Sequence, residues 1–227
     1  MTGMLASVNS LEEAIIVLAA KVDIIDLKQP AQGTLGALET ARVEEIVSAI
    51  NGHCPVSATV GDLPMQAELI FNAVASMAKT GVDYIKIGFF PDGDWLGTVK
   101  ALSTLTLENS LIAVLFADTA PNFNIITPLK EAGFKGVMLD TMNKNKGSLI
   151  QIMATTDIAQ FVLQAKAHQL LCGLAGSLRQ EDISVLVPYQ ADYLGFRGAL
   201  CQQHNRTAQL NRRAIRQIKE TLESIHT

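Results

Sequence analysis

Two stretches decide the fold: Ala20-Lys21-Val22-Asp23-Ile24-Ile25-Asp26-Leu27-Lys28 and Thr80-Gly81-Val82-Asp83-Tyr84-Ile85-Lys86-Ile87-Gly88. Each leaves an apolar segment of helical spacing, passes a turn residue and an aspartate, and enters a short run of strand-forming residues. Ala132-Gly133-Phe134-Lys135-Gly136-Val137-Met138 and Gln190-Ala191-Asp192-Tyr193-Leu194-Gly195 repeat the layout. The interval is roughly 50–60 residues, about two strand–helix units.

Working outward, further strand-like runs fill in between the repeats. The full set is residues 5–8, 24–28, 56–60, 84–88, 111–116, 136–140, 171–175 and 193–196. Helical spacing marks residues 10–20, 39–50, 66–80, 94–107, 125–132, 157–168 and 207–224, with Ser10 as an N-cap and Glu13 completing a capping box. Eight strands alternating with helices pair in parallel through right-handed crossovers. A chain of 227 residues then suits a single-domain (β/α)8 TIM barrel over residues 1–227, with the repeats on the even-numbered strands. An open doubly wound sheet is the alternative. It usually places a glycine-rich turn after its first strand, where this chain has Asn9-Ser10.

Composition narrows the function classes. Apolar residues are 48% of the chain and charged residues 18%, a balance that fits a large interior and not disorder. A net charge of -4 supplies no general attraction to nucleic acid or anionic membrane. The cluster Asn211-Arg212-Arg213 with Arg216 reads as the polar face of a last helix. No apolar run reaches the roughly 20 residues of a membrane span, and no basic segment precedes a long apolar one, so the expectation is a cytoplasmic protein without signal peptide. Cys54, Cys172 and Cys201 have no metal-type spacing and read as buried free thiols. His53, His168, His204 and His226 form no metal triad by spacing, and Asp23, Asp83 and Asp192 read as turn residues before strands. Low charge and high apolar content fit a homo-oligomer.

In a barrel of this kind the site forms at the C-terminal strand ends. Those ends carry Asp26 and Lys28, Thr59 and Asp62, Lys86, Asp118, Asp140, Ser177 and Arg197. Side chains alternate along a strand, so Asp26 shares a face with Lys28, Lys86 with Tyr84 and Gly88, and Asp140 with Met138. If the intervening Ile and Leu residues pack on outer helices, the charged groups converge on the barrel mouth. Neighbouring lysines depress each other's pKa, and a neutral lysine attacks carbonyls to form an iminium that acidifies the adjacent C–H. A carboxylate or second amine then takes the proton. The ordinary readings remain open: Lys28 as a solvated lysine or a structural partner of Asp26, and Lys144 as a solvated loop tip. Ala175-Gly176-Ser177-Leu178 and Gly195-Phe196-Arg197-Gly198-Ala199 follow strands seven and eight. Glycines there admit backbone N–H groups to a phosphate, and Arg197 offers a bidentate contact.

Several of these motifs stand together in one known order: Asp23-Ile24-Ile25-Asp26-Leu27-Lys28-Gln29-Pro30 with Gly33-Thr34-Leu35-Gly36, Val56-Ser57-Ala58-Thr59-Val60-Gly61-Asp62, Asp83-Tyr84-Ile85-Lys86-Ile87-Gly88, Met138-Leu139-Asp140-Thr141 and Leu174-Ala175-Gly176-Ser177. As a set they resemble the (5-formylfuran-3-yl)methyl phosphate synthase family of methanofuran biosynthesis, in its bacterial methylotroph branch, over about residues 5–201. The resemblance implies a (β/α)8 lyase. Its reaction condenses two molecules of glyceraldehyde 3-phosphate into 4-(hydroxymethyl)-2-furancarboxaldehyde phosphate, with loss of phosphate and water. It also implies Lys28 as the Schiff-base lysine, Lys86 as a proton-transfer residue, Asp26, Asp140 and Lys144 as further active-site residues, and no metal or organic cofactor. The phosphorylated aldehyde is then the small-molecule partner expected, with no nucleic acid or membrane. Segments 117–124 and 141–157 depart from the family pattern, so the resemblance does not give the exact phosphate contacts of those loops. Two other readings stay open: another Schiff-base phosphosugar aldolase, or a non-catalytic phosphometabolite-binding barrel. The second has no need of Lys28 or Lys86.

Overall fold

The computed structural model describes residues 1–225, so His226 lies outside the described residues. Eight parallel strands close into a barrel in sequence order: β1 (Gly3–Val8), β2 (Ile24–Leu27), β3 (Val56–Thr59), β4 (Tyr84–Phe89), β5 (Leu111–Phe116), β6 (Gly136–Asp140), β7 (Leu171–Leu174) and β8 (Tyr193–Phe196). The helices are α1 (Leu11–Ala19), α2 (Thr40–Ile50), α3 (Ala67–Ala78), α4 (Trp95–Leu102), α5 (Ile126–Glu131), α6 (Leu149–Ile152), α7 (Thr155–Ala167), α8 (Ile183–Leu186) and α9 (Arg212–Ser224). The doubly wound alternative is excluded by the β1–β8 pairing, which closes the sheet. Among the described residues no helix is long and apolar enough to cross a membrane.

Strand parity sorts the interior into two regions. Ile25, Leu27, Ile85, Ile87, Val137 and Leu139 face outward and merge with helix residues such as Val17, Val43, Ile46, Val74 and Ile158. The inward face holds a smaller plug of Leu5, Ile24, Leu35, Val114, Phe116, Met138 and Ala175. Met138 reaches the barrel centre because two neighbours lack side chains. A Cβ on Gly173 would lie 3.1 Å from its Cγ, and one on Gly195 3.0 Å from its Cε. This apolar plug, with Tyr84 and Tyr193 packed against it, fills the barrel below the mouth, and the charged inward residues Asp26, Lys86 and Asp140 lie towards the C-terminal strand ends.

The repeat has a structural counterpart at the opposite end. Asp23 accepts the N–H of Met4 at 2.7 Å while its own N–H donates to the Met4 carbonyl at 2.9 Å. Asp83 makes the same reciprocal pair with Val56 (2.7 and 2.8 Å), and Asp192 with Cys172 (2.7 and 2.8 Å). In each, the aspartate before an even strand clamps the preceding odd strand. The β6 repeat has Lys135 instead, which keeps only the backbone bond to Leu111. These aspartates are thus more than turn residues.

Three local expectations change. Ser10 caps α1 by accepting the Glu13 N–H at 3.2 Å, but the Glu13 carboxylate turns to Asn9 and Arg197, so the capping box is half formed. Residues 207–211 precede α9, because Asn211 takes the N-cap and its side chain accepts from Arg213 and Ala214. Helix α4 stops at Leu102, short of the spacing that ran to residue 107. The thiols of Cys54, Cys172 and Cys201 are free and buried, as read from sequence.

Candidate active site

Asp26 lies on the inward face of β2 and is fully buried. Register places Ser7 of β1 and Ser57 of β3 directly beside it, on the same face. Their hydroxyls donate to its two oxygens at 2.8 and 2.7 Å, and the Lys86 ammonium from β4 reaches Oδ1 at 2.9 Å. Burial raises the pKa of this carboxyl, but the charges of Lys86 and Lys28 more than offset it, and the group is held below the usual carboxylate range.

Asp140, at the end of β6, forms the second carboxylate centre. It accepts the Thr141 N–H at 2.7 Å and a short hydrogen bond from the Lys144 ammonium. Burial again raises its pKa, and Lys144 and Lys28 outweigh it to leave a net lowering. Lys144, itself largely buried, is pulled down by desolvation against the opposing pull of Asp140.

Lys28 stands between these centres and belongs to neither. It is 6% exposed, and among the described residues no carboxylate lies within 4.0 Å of it. Neither ordinary reading of Lys28 holds: it is not solvated, and Asp26 pairs with Lys86. Desolvation lowers its pKa to about 7, opposed by Asp140 and Asp26 and reinforced by Lys144 and Lys86. A large share of Lys28 is therefore a neutral amine near neutral pH, the form that adds to a carbonyl.

The amine opens on a cavity of about 390 Å³, lined also by Lys86, Asp140, Lys144, Gly176, Ser177, Gly198 and Arg206. Gly176 has φ +113°, and a Cβ there would meet Thr141 Cγ2 at 2.7 Å, so glycine lets the β7 loop pack against the β6 loop. Ser177 also has positive φ (48°), and its hydroxyl donates to the Lys144 carbonyl at 3.3 Å.

The other strand-end residues hold loops. Asp62 accepts from the N–H groups of Thr34 and Leu35, both at 2.7 Å. Asp118 accepts from Met142 and Asn143 at 2.6 and 2.8 Å, and Thr59 donates to the Gly36 carbonyl at 3.0 Å. Arg197 requires a correction. Its guanidinium donates to both Glu13 oxygens and to the carbonyls of Ser7, Arg206 and Ala208. Every N–H of the fork is committed, so the side chain has no bidentate pair to offer a phosphate. Sequence reading missed Ser7, Ser57 and Glu13 as partners, and Arg206 as a cavity residue. The serines were findable by parity once β1–β2–β3 register was assumed; Arg206 lies in a loop without periodicity. Among the described residues no His/Cys/Asp/Glu group is arranged to hold a metal. His53 bonds the Ile50 carbonyl, His168 bonds Thr127, and His204 sits at the cavity rim.

A closed parallel barrel, with two carboxylate-held lysines and a third without an ion-pair partner among the described residues at its C-terminal mouth, defines the class: a single-domain TIM barrel. Solved structures of that fold superpose on it. 3-Keto-L-gulonate-6-phosphate decarboxylase from Vibrio cholerae gives a TM-score of 0.68 at 13% identity, covering 98% of each chain. Phosphoribosyl anthranilate isomerase from Thermus thermophilus gives 0.68 at 10%, covering 99% of this chain and 100% of that one. At such identities the likeness is one of fold. Sequence goes further. The family model described as 4-HFC-P synthase matches residues 4–219. A relative from Methylorubrum extorquens is 38% identical over 219 residues, covering 96% of this chain and 91% of its own. The (5-formylfuran-3-yl)methyl phosphate synthase of Methanocaldococcus jannaschii is 32% identical over 231 residues, covering 96% and 98%. The chain belongs to the (5-formylfuran-3-yl)methyl phosphate synthase family.

Proposed function

We propose that this protein is a lyase that joins two molecules of glyceraldehyde 3-phosphate into 4-(hydroxymethyl)-2-furancarboxaldehyde phosphate through a Schiff base on Lys28, as a step towards methanofuran or an analogue of it. The balance requires loss of one phosphate and two molecules of water. The observation that carries the reading is Lys28 itself: a buried amine with no ion-pair partner among the described residues, opening on a cavity flanked by two lysine–carboxylate pairs.

The neutral amine adds to the aldehyde carbon and water leaves, giving an iminium that acidifies C2 of the triose. That proton goes to Lys86 in this reading, which its 2.9 Å pairing with Asp26 supports, with Asp140 as the other candidate. The resulting enamine supplies the carbon nucleophile for the second aldehyde. Elimination of phosphate from C3 needs a cation at the leaving group, and Lys144 lines the cavity for that role. The backbone around Gly176, Ser177 and Gly198 is the proposed phosphate cradle.

Mixing the purified protein with glyceraldehyde 3-phosphate is expected to produce the ultraviolet absorbance of a furan aldehyde, and Lys28→Ala to abolish it. Continued product formation by Lys28→Ala, or none by wild type, would defeat the proposal.

A further inference from the structure

We infer that Arg206 is the side chain that grips the phosphate of the bound ester, working with the backbone N–H groups of Ser177, Gly198 and Ala199. The inference rests on the proposed phosphorylated substrate and adds the recognition element that Arg197 does not supply.

Arg206 lies on the loop after β8 and lines the same cavity as Lys28. It is half-buried, yet its guanidinium makes one hydrogen bond, to the Gly33 carbonyl at 2.9 Å, and has no carboxylate within 4.0 Å among the described residues. A half-buried guanidinium with donors unused by the protein, beside a cavity, matches the charge and geometry of a phosphate. The N–H groups of Ser177, Gly198 and Ala199 likewise donate to no acceptor among the described residues. The other arginines of the lining are spent or displaced: Arg197 on Glu13 and three carbonyls, and Arg179 exposed on the rim.

The loop is also braced to hold Arg206 still. Residues 201 and 210 pair as an antiparallel bridge, and Gln202 donates to the Gln209 carbonyl at 2.9 Å. From inside, Arg197 donates to the carbonyls of Arg206 (2.8 Å) and Ala208 (3.4 Å). Arg197, read from sequence as part of a phosphate cradle, is held by Glu13 and thereby positions the arginine that does face the cavity.

Calorimetric titration with glycerol 3-phosphate, an unreactive ester, and with glycerol separates the possibilities. Wild type is expected to bind the ester and not glycerol, R206Q to bind it roughly tenfold more weakly or worse, and R206K to fall between, since a lysine keeps charge and loses the fork. In a second measurement that needs no variant, glycerol 3-phosphate is expected to shield Arg206, and not the exposed Arg212, from phenylglyoxal. Unchanged ester affinity in R206Q, or equal labelling of Arg206 with and without ester, overturns the assignment and leaves the proposed function standing. Failure of wild type to bind any phosphate ester removes both.

Discussion

Lys28 and Lys86 end on the same barrel mouth, and one difference separates their chemistry. Lys86 has a buried carboxylate at 2.9 Å; Lys28 has none within 4.0 Å among the described residues. Parity along β2 and β4 made their convergence legible in sequence. The choice of partner was not, because it depends on how far each side chain reaches across the register from β2 to β4. From the value of about 7 for Lys28, kcat/KM should rise with pH through a midpoint near 7. Asp140→Asn removes the charge that does most to raise the Lys28 pKa, so a pH–rate profile should show the midpoint moving lower. A profile unmoved by Asp140→Asn counts against Lys28 as the titrating group. Stability follows the same linkage. The folded pKa lies below the unfolded 10.5, so the unfolded chain binds more protons between about pH 7 and 10.5, and stability rises with pH across that window. Asp26→Asn has a different signature. It strands the Lys86 ammonium in a buried site, and urea titration should show a loss of about 3–5 kcal/mol together with a fall in turnover of about a hundredfold or more. A variant as stable as wild type would show that the pair contributes less than its burial implies.

At the scale of elements, the starts of the even strands were readable because each follows the same helix-end turn, with an aspartate before β2, β4 and β8 and Lys135 before β6. The signal carried more than its reading as a turn. Asp23, Asp83 and Asp192 each return a bond to the preceding odd strand, which no local pattern reveals since the partners lie 19, 27 and 20 residues away. Asp83→Ala leaves the Val56 N–H without its acceptor and should cost about 1–3 kcal/mol in thermal or urea unfolding. Turnover should be nearly unchanged, because the clamp sits at the end of the barrel opposite the cavity. Loss of activity with retained stability would place Asp83 in the wrong role. Where elements were misjudged, side chains had bonded elsewhere: Glu13 to Arg197 and not back to Ser10, and Asn211 as the cap that delays α9.

For the whole molecule, charge is distributed against its average. The chain carries a net -4, yet its cavity is lined by Lys28, Lys86, Lys144, Arg179, Arg197 and Arg206, with Asp140 as the lone carboxylate among the described lining residues. The opening should attract anions despite the overall sign. Raising ionic strength is expected to raise KM for glyceraldehyde 3-phosphate progressively, with kcat less affected; a salt-independent KM would deny the mouth that role. The same loops that display these cations are stitched into a collar, by Asp62 across to residues 34 and 35, by Asp118 to 142 and 143, and by the Thr34 hydroxyl to the Met142 carbonyl at 2.6 Å. Sequence showed the polar set at the strand ends but could not divide it into residues that face the cavity and residues that hold its rim. That division depends on loop paths.

In the proposed reaction Lys28 is the amine that captures the aldehyde. Incubation with glyceraldehyde 3-phosphate, reduction with borohydride and peptide mass spectrometry test it directly. A reduced triose adduct is expected on Lys28, with none on Lys86 or Lys144; an adduct on another lysine, or no adduct at all under turnover conditions, rules Lys28 out as that amine.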